Sequence, residues 1–150
     1  MTHPELAMQN FKSGYNCAQA VLLAFSDLTG LDNATAMKLS SSFGGGMGRL
    51  REVCGAVSGM FMVAGLLYGG GDVPAHESKM AHYSRIQQLA AAFREKNGAI
   101  VCRELLGAAA DTRPEPEKRT DAYYQKRACA QLCYDAAEIL DNYIAENPLD

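Results

Sequence analysis

FGGGMGRLREVCGAVSGMFMVAGLLYGGG, residues 43–71, decides how this chain is read. A glycine-rich turn at 44–48 leads through one cysteine, Cys54, into an apolar run that Gly69-Gly70-Gly71 closes. The run from Val53 to Tyr68 is interrupted by three glycines and a serine. It falls short of a bilayer span, which needs roughly 20 residues, and so predicts a buried core helix. Gly55 and Gly59, then Gly65 and Gly69, stand four apart, with Ala56 and Ala64 adding to the small face. That spacing predicts a close helix–helix contact, either within the chain or between the copies of a homodimer.

Outward from this segment the apolar spacing is helical nearly throughout. Leu6 and Phe11 suggest an opening helix that breaks near Gly14. Cys17, Val21, Ala24, Phe25 and Leu28 recur at three and four over a helix of about Asn16 to Leu28, stopped by Gly30. Asp32 or Asn33 can cap a third helix. Asp72-Val73-Pro74 opens another, with proline in its first turn. Its apolar stripe is Met80, Tyr83, Ile86, Leu89, Ala90 and Phe93, and Asn97-Gly98 closes it. A short piece spans Cys102 to Leu106, and Asp111 to Lys118, with Pro114 and Pro116, reads as a surface loop. Thr120 caps a last helix running unbroken to about Glu146. Strand signals are nearly absent. The expectation is an all-α, single-domain bundle of about five to seven helices around a central buried apolar helix.

The 150 residues suffice for one domain with a real core, and 48% apolar with 21% charged residues is an ordinary globular composition. A net charge of −3 argues against nucleic acid, which needs a clustered basic surface. The densest basic stretch, Glu117 to Arg127, also carries Asp121 and reads as a solvated helix face. The N-terminus, MTHPELAMQNFKSG, has no basic region followed by an apolar one, so no secretory signal is expected. A cytoplasmic protein that does not enter a membrane follows.

Five cysteines, Cys17, Cys54, Cys102, Cys129 and Cys133, remain to be explained. In a reducing cytosol they are structural, metal-binding or redox-active, and no CxxC pair joins any two of them. Glycines at 44–48 can expose backbone N–H groups to a helix start, which lowers the pKa of a thiol in the first turn. Arg49 and Arg51 strengthen that effect if they point inward. The plainer reading of Cys54 is a small apolar filler. Cys17 and Cys102 also fall near helix starts, whereas Cys129 and Cys133 are four apart and share a helix face. His3, His76 and His82 lack the spacing of a helical metal pair, Glu115 and Glu117 read as solvent-facing, and no GxSxG, HExxH or CxxCH occurs. A phosphate-loop reading lacks both GxxxxGK[ST] and a preceding strand.

The cysteine pattern resembles the C_GCAxxG_C_C family, whose members are called redox-active because of their cysteines. Its CGAxxG motif reads Cys54-Gly55-Ala56-Val57-Ser58-Gly59, preceded by FGGGMG. The upstream cysteine matches Cys17 in GYNCAQAV, and the downstream ones match Cys102 and Cys133, with Cys129 one helical turn away as the extra thiol. The resemblance spans nearly the whole chain. It implies redox activity and names no substrate.

Together these readings give a thiol-based redox or electron-transfer protein in which Cys17, Cys54, Cys102 and Cys133 converge from separate helices. Cys54 is expected to be the most acidic thiol, attacking a disulfide or an oxidised partner, with Cys17 as the resolving thiol. The partner is then a redox protein or a small thiol or disulfide. The alternative is a metal centre, the same four thiolates holding zinc or an iron–sulfur cluster. In the third reading the cysteines only pack the bundle.

Overall fold

A computed structural model describes residues 1–107 and 110–150, with all side chains among them except that of Lys126. The described residues are helical, as expected. α1 (His3–Lys12) starts at a capping box between Thr2 and Glu5, and α2 (Cys17–Ala24) at one between Asn16 and Gln19. A one-turn α3 (Ser26–Thr29) ends where Gly30 turns left-handed, φ 69°, and Asp32 caps α4 (Asn33–Ser40). Then follow α5 (Gly55–Tyr68), α6 (His76–Asn97), α7 (Cys102–Leu106), α8 (Asp121–Lys126) and α9 (Cys129–Glu146). The segments outnumber the five to seven expected because two long ones are divided. Phe25 separates α2 from α3, and Arg127-Ala128 separates α8 from α9.

The second division is the larger correction. Arg127 is extended, φ −109° and ψ 131°, so the last helix does not run on from Thr120. Its side chain turns inward to Glu117 at 3.2 Å and lies 5.1 Å from the Tyr123 ring. A helical Arg127 would continue the ladder instead of making this turn. Pro74 also falls just before the cap of α6, Ala75, and not in its first turn.

The core forms where α1 packs on α9 and α2, and α2 on α5. Phe11, Leu22, Phe25, Met60, Leu89, Phe93 and Leu140 are its largest fully buried side chains. α5 buries Gly55 through Met60, then Val63 and Ala64. A Cβ at Gly59 would lie 2.8 Å from the Ala18 carbonyl oxygen, and one at Gly55 would lie 3.0 Å from Cys17 Cβ. The small face at 55 and 59 is therefore a close contact with α2. It stops there, because a Cβ at Gly65 would meet nothing within 4 Å. On α6 the apolar stripe is buried at Leu89, Ala90 and Phe93 but not at Met80 and Tyr83, which are 60% and 58% exposed. Among the described residues no helix is long and apolar enough to cross a membrane.

Candidate functional site

The opening glycine turn folds in an unusual hand. Gly45, Gly46, Met47, Gly48 and Arg49 all have φ between 59° and 70°, and Arg51 follows at 63°. A left-handed turn costs an L-residue roughly 1–2 kcal/mol, and here three non-glycine residues adopt it. Strain of this kind persists only where neighbours over-determine it. The Arg51 and Glu52 amides donate to the carbonyls of Gly45 and Gly46, at 3.3 and 2.9 Å. Gly46 also has no room for a side chain: a Cβ would stand 2.6 Å from Cys102 Cβ.

Residues 52–54 and 100–102 then run antiparallel through a single bridge, Val53 to Val101. The Cys54 amide donates to Ile100 at 2.8 Å and the Cys102 amide to Glu52 at 2.6 Å. Side chains alternate along extended backbone, so Cys54 and Cys102 point to the same side of the bridge. Cys54 consequently caps α5 from outside its first turn.

Cys17, Cys102 and Cys129 are the first residues of α2, α7 and α9, and Cys54 is the cap of α5. These four thiols line one cavity of about 60 Å³. At roughly 30 Å³ per water, that volume admits the tip of a molecule and little more. Cys133 is not on its wall. It is 0% exposed, behind Cys17, whose carbonyl oxygen accepts from its sulfur at 3.8 Å. The thiols of Cys129 and Cys133 are the two strongest influences on the Cys17 thiol. All five cysteines are buried and reduced.

A wider cavity of about 270 Å³ shares Asn16, Gly45, Arg51, Arg119, Tyr123 and Arg127 with the cysteine chamber. Its far wall is the proline loop, through Pro114, Pro116 and Glu117. Arg51 Nε donates to the Asp111 carbonyl at 2.8 Å, and its Nη1 lies 3.7 Å from Cys102 Sγ. Arg49 ties the loop from outside through the carbonyls of Arg113 and Glu115 and through Asp111. Arg119 donates to the carbonyls of Phe11 and Tyr15, at 2.8 and 3.1 Å, with its guanidinium 4.1 Å from the Phe11 ring. Arg119 and Arg127 thus form an inner wall where a solvated face was expected. Glu117, read as solvent-facing, pairs with Arg127.

Burial outweighs the helix start in setting the thiol acidities. It pushes Cys54 up to about 12, although the N–H groups of Val57 and Ala56 pull the other way. The expectation that Cys54 is the most acidic thiol is therefore corrected. The bond to Cys17 raises Cys129 most, with burial behind it. For Cys17 the Cys129 bond favours the thiolate, but Cys133, burial and the other sulfurs together carry it well upward. Burial also raises Cys133, against the opposing bond to Cys17. Cys102 is raised by burial too, but the Arg51 guanidinium opposes it through a hydrogen bond and charge, which makes Cys102 the thiol best placed to ionise.

Three of the four cysteines expected to converge, Cys17, Cys54 and Cys102, share the chamber wall, and Cys129 takes the place given to Cys133. No three His, Cys, Asp or Glu side chains among the described residues are arranged to hold a metal ion. The arginine wall and the fourth helix-start thiol were missed. The one available signal was a basic stretch interleaved with Tyr123 and Tyr124, which suits stacking guanidiniums as well as it suits solvent.

A family model described as "Putative redox-active protein (C_GCAxxG_C_C)" matches residues 15–143. No curated protein and no solved structure matches the chain.

Proposed function

This chain belongs to the C_GCAxxG_C_C family, and we propose that it is a thiol-based redox protein whose centre is the chamber of Cys17, Cys54, Cys102 and Cys129. The observation that carries this reading is the meeting of four helix-start thiols on one small cavity. Packing alone gives no reason for four cysteines from four segments to share one wall.

Cys102 is the entry thiol, because Arg51 stabilises its thiolate. It attacks one sulfur of an acceptor disulfide, forming a mixed disulfide and expelling the acceptor's first thiolate, which takes up the proton that Cys102 released. Cys129 then attacks the Cys102 sulfur and passes its proton to the departing second thiolate. Cys17, the strongest influence on the Cys129 thiol, then attacks the Cys129 sulfur, and its proton returns Cys102 as a thiol. The net step converts two thiols of the protein to the Cys17–Cys129 disulfide and gives the acceptor two electrons and two protons. Cys54 closes the chamber wall beside Cys102. The chamber serves a small disulfide or an exposed protein disulfide alike, and one domain in the cytoplasm is the natural setting for reduced thiols.

Iron–sulfur or zinc ligation by the same thiols is the weaker reading, since no ligand set is pre-arranged among the described residues. The test is a titration of anaerobically purified protein with diamide, counting free thiols and bound metal. Thiol redox chemistry requires two thiols lost per equivalent, recovered on reduction, with no disulfide formed between chains. Stoichiometric iron or zinc that protects the thiols would assign the cluster to a metal instead.

A further inference from the structure

Arg51 is 3% exposed and Arg127 8% exposed, so both guanidiniums have left water. Arg51 spends Nε on a carbonyl and Nη1 on the Cys102 thiol, neither of which carries a charge at rest. Its Nη2 is buried with no hydrogen-bond partner among the described residues. Arg127 spends Nη2 on Glu117, and its Nε is likewise buried and unpartnered. Buried donors are nearly always paired, and a buried cation more so. Two such vacancies, on two arginines that line the same pair of cavities, are not accounted for by the described residues.

The outer cavity is lined by four arginines, Arg49, Arg51, Arg119 and Arg127, and one carboxylate, Glu117, while Asp111 pairs with Arg49 at 3.5 Å. We propose that this cavity binds a small anion, and that the molecule brought to Cys102 carries a carboxylate, sulfonate or similar oxyanion held by Arg51 and Arg127. An oxyanion has the lone pairs that both empty N–H donors lack, and guanidinium–oxyanion bonds are strongest when water is excluded. The site would also steer anions toward the chamber, since a cleft in which positive charge predominates raises local anion concentration. The first half of the proposal stands on the arginines alone. The second half, that the anion is part of the redox substrate, rests on the thiol-redox reading.

The test uses two alkylating reagents of equal reach on the native protein: anionic iodoacetate and neutral iodoacetamide. Peptide mass analysis reads modification at Cys102. The site predicts that iodoacetate gains about tenfold over iodoacetamide relative to free cysteine, the lower end of such steering. Sulfate should slow iodoacetate and leave iodoacetamide unchanged. Arg127→Gln should erase the preference, and Arg127→Lys should retain only part of it, because lysine restores charge without Nε. A wild-type ratio equal to that of free cysteine, with no effect of sulfate, overturns the proposal. The wild-type arms decide the matter even if a variant fails to fold. Anion preference without disulfide formation keeps the site and removes the redox reading; disulfide formation without preference does the reverse.

Discussion

Arg51 Nη1 lies 3.7 Å from the sulfur of Cys102, and Arg51 reaches it from a left-handed backbone, φ 63°. The glycine turn thus brings a guanidinium to a thiol on another helix, and its own neighbour Cys54 gains no such partner among the described residues. Cys54 has two N–H groups nearby, but partial charges do not offset full burial.

Alkylation at neutral pH should therefore begin at Cys102. Iodoacetamide followed by peptide mapping is expected to modify Cys102 faster than the other four thiols, because Arg51 favours its thiolate. Arg51→Gln should slow that reaction by removing the opposing charge. Faster labelling of Cys54 would contradict the assignment.

The α2–α5 contact yields a pair of opposite outcomes on one helix. Gly59→Ala would press a Cβ within 2.8 Å of the Ala18 carbonyl and 3.0 Å of Val21 Cβ. Overpacking of this kind costs about 1–3 kcal/mol. Gly65→Ala meets nothing within 4 Å and should stabilise by about 0.5–1 kcal/mol, through helix propensity. Urea unfolding of both variants checks the pair, and equal effects would mean that 55 and 59 are not the contact.

Stability should also depend on His3. Its ring stacks on Phe25 at 4.2 Å and bridges Asp27 and Asp141, at 2.9 and 2.8 Å. Burial, the largest single influence on it, lowers its pKa, but the two carboxylates together raise it above 6.5. The folded state therefore holds this proton more tightly than the unfolded one, so the clasp contributes fully below pH 6.5 and fades as pH rises through the raised value. Partly exposed pairs are worth about 1 kcal/mol or less, hence a few degrees at most. Thermal unfolding of wild type and His3→Ala should differ more at about pH 5.5 than at about pH 8.5. An equal difference at both would remove the clasp.

Much of the helical frame was legible because its signals are local. Thr120 and Asp32 cap where side-chain chemistry says they should, and Gly30 and Gly98 stop helices with φ of 69° and 89°. Two decisive features depend on tertiary contacts and leave little local trace. The break at Arg127-Ala128 follows from where the Arg127 side chain is anchored, and the run from Thr120 onward reads as uninterrupted helix without that contact. Its consequence is that Cys129 becomes a helix-start thiol like Cys17 and Cys102, while Cys133 stays inside the helix. The bridge at Val53 and Val101 is likewise too short to give a strand period, yet it sets Cys54 beside Cys102. Helix starts coincide with the chamber wall: Cys17, Cys102 and Cys129 begin helices, and Cys54 is the cap of one.

Disulfide mapping after mild oxidation tests the central claim most directly. Native protein is treated with diamide, quenched in acid, alkylated, and digested without reduction. The account predicts one dominant intrachain link, Cys17 to Cys129, with Cys133 alkylated as a free thiol after unfolding. Recovery of Cys17 and Cys129 as free thiols, with links only between separate chains, would contradict it.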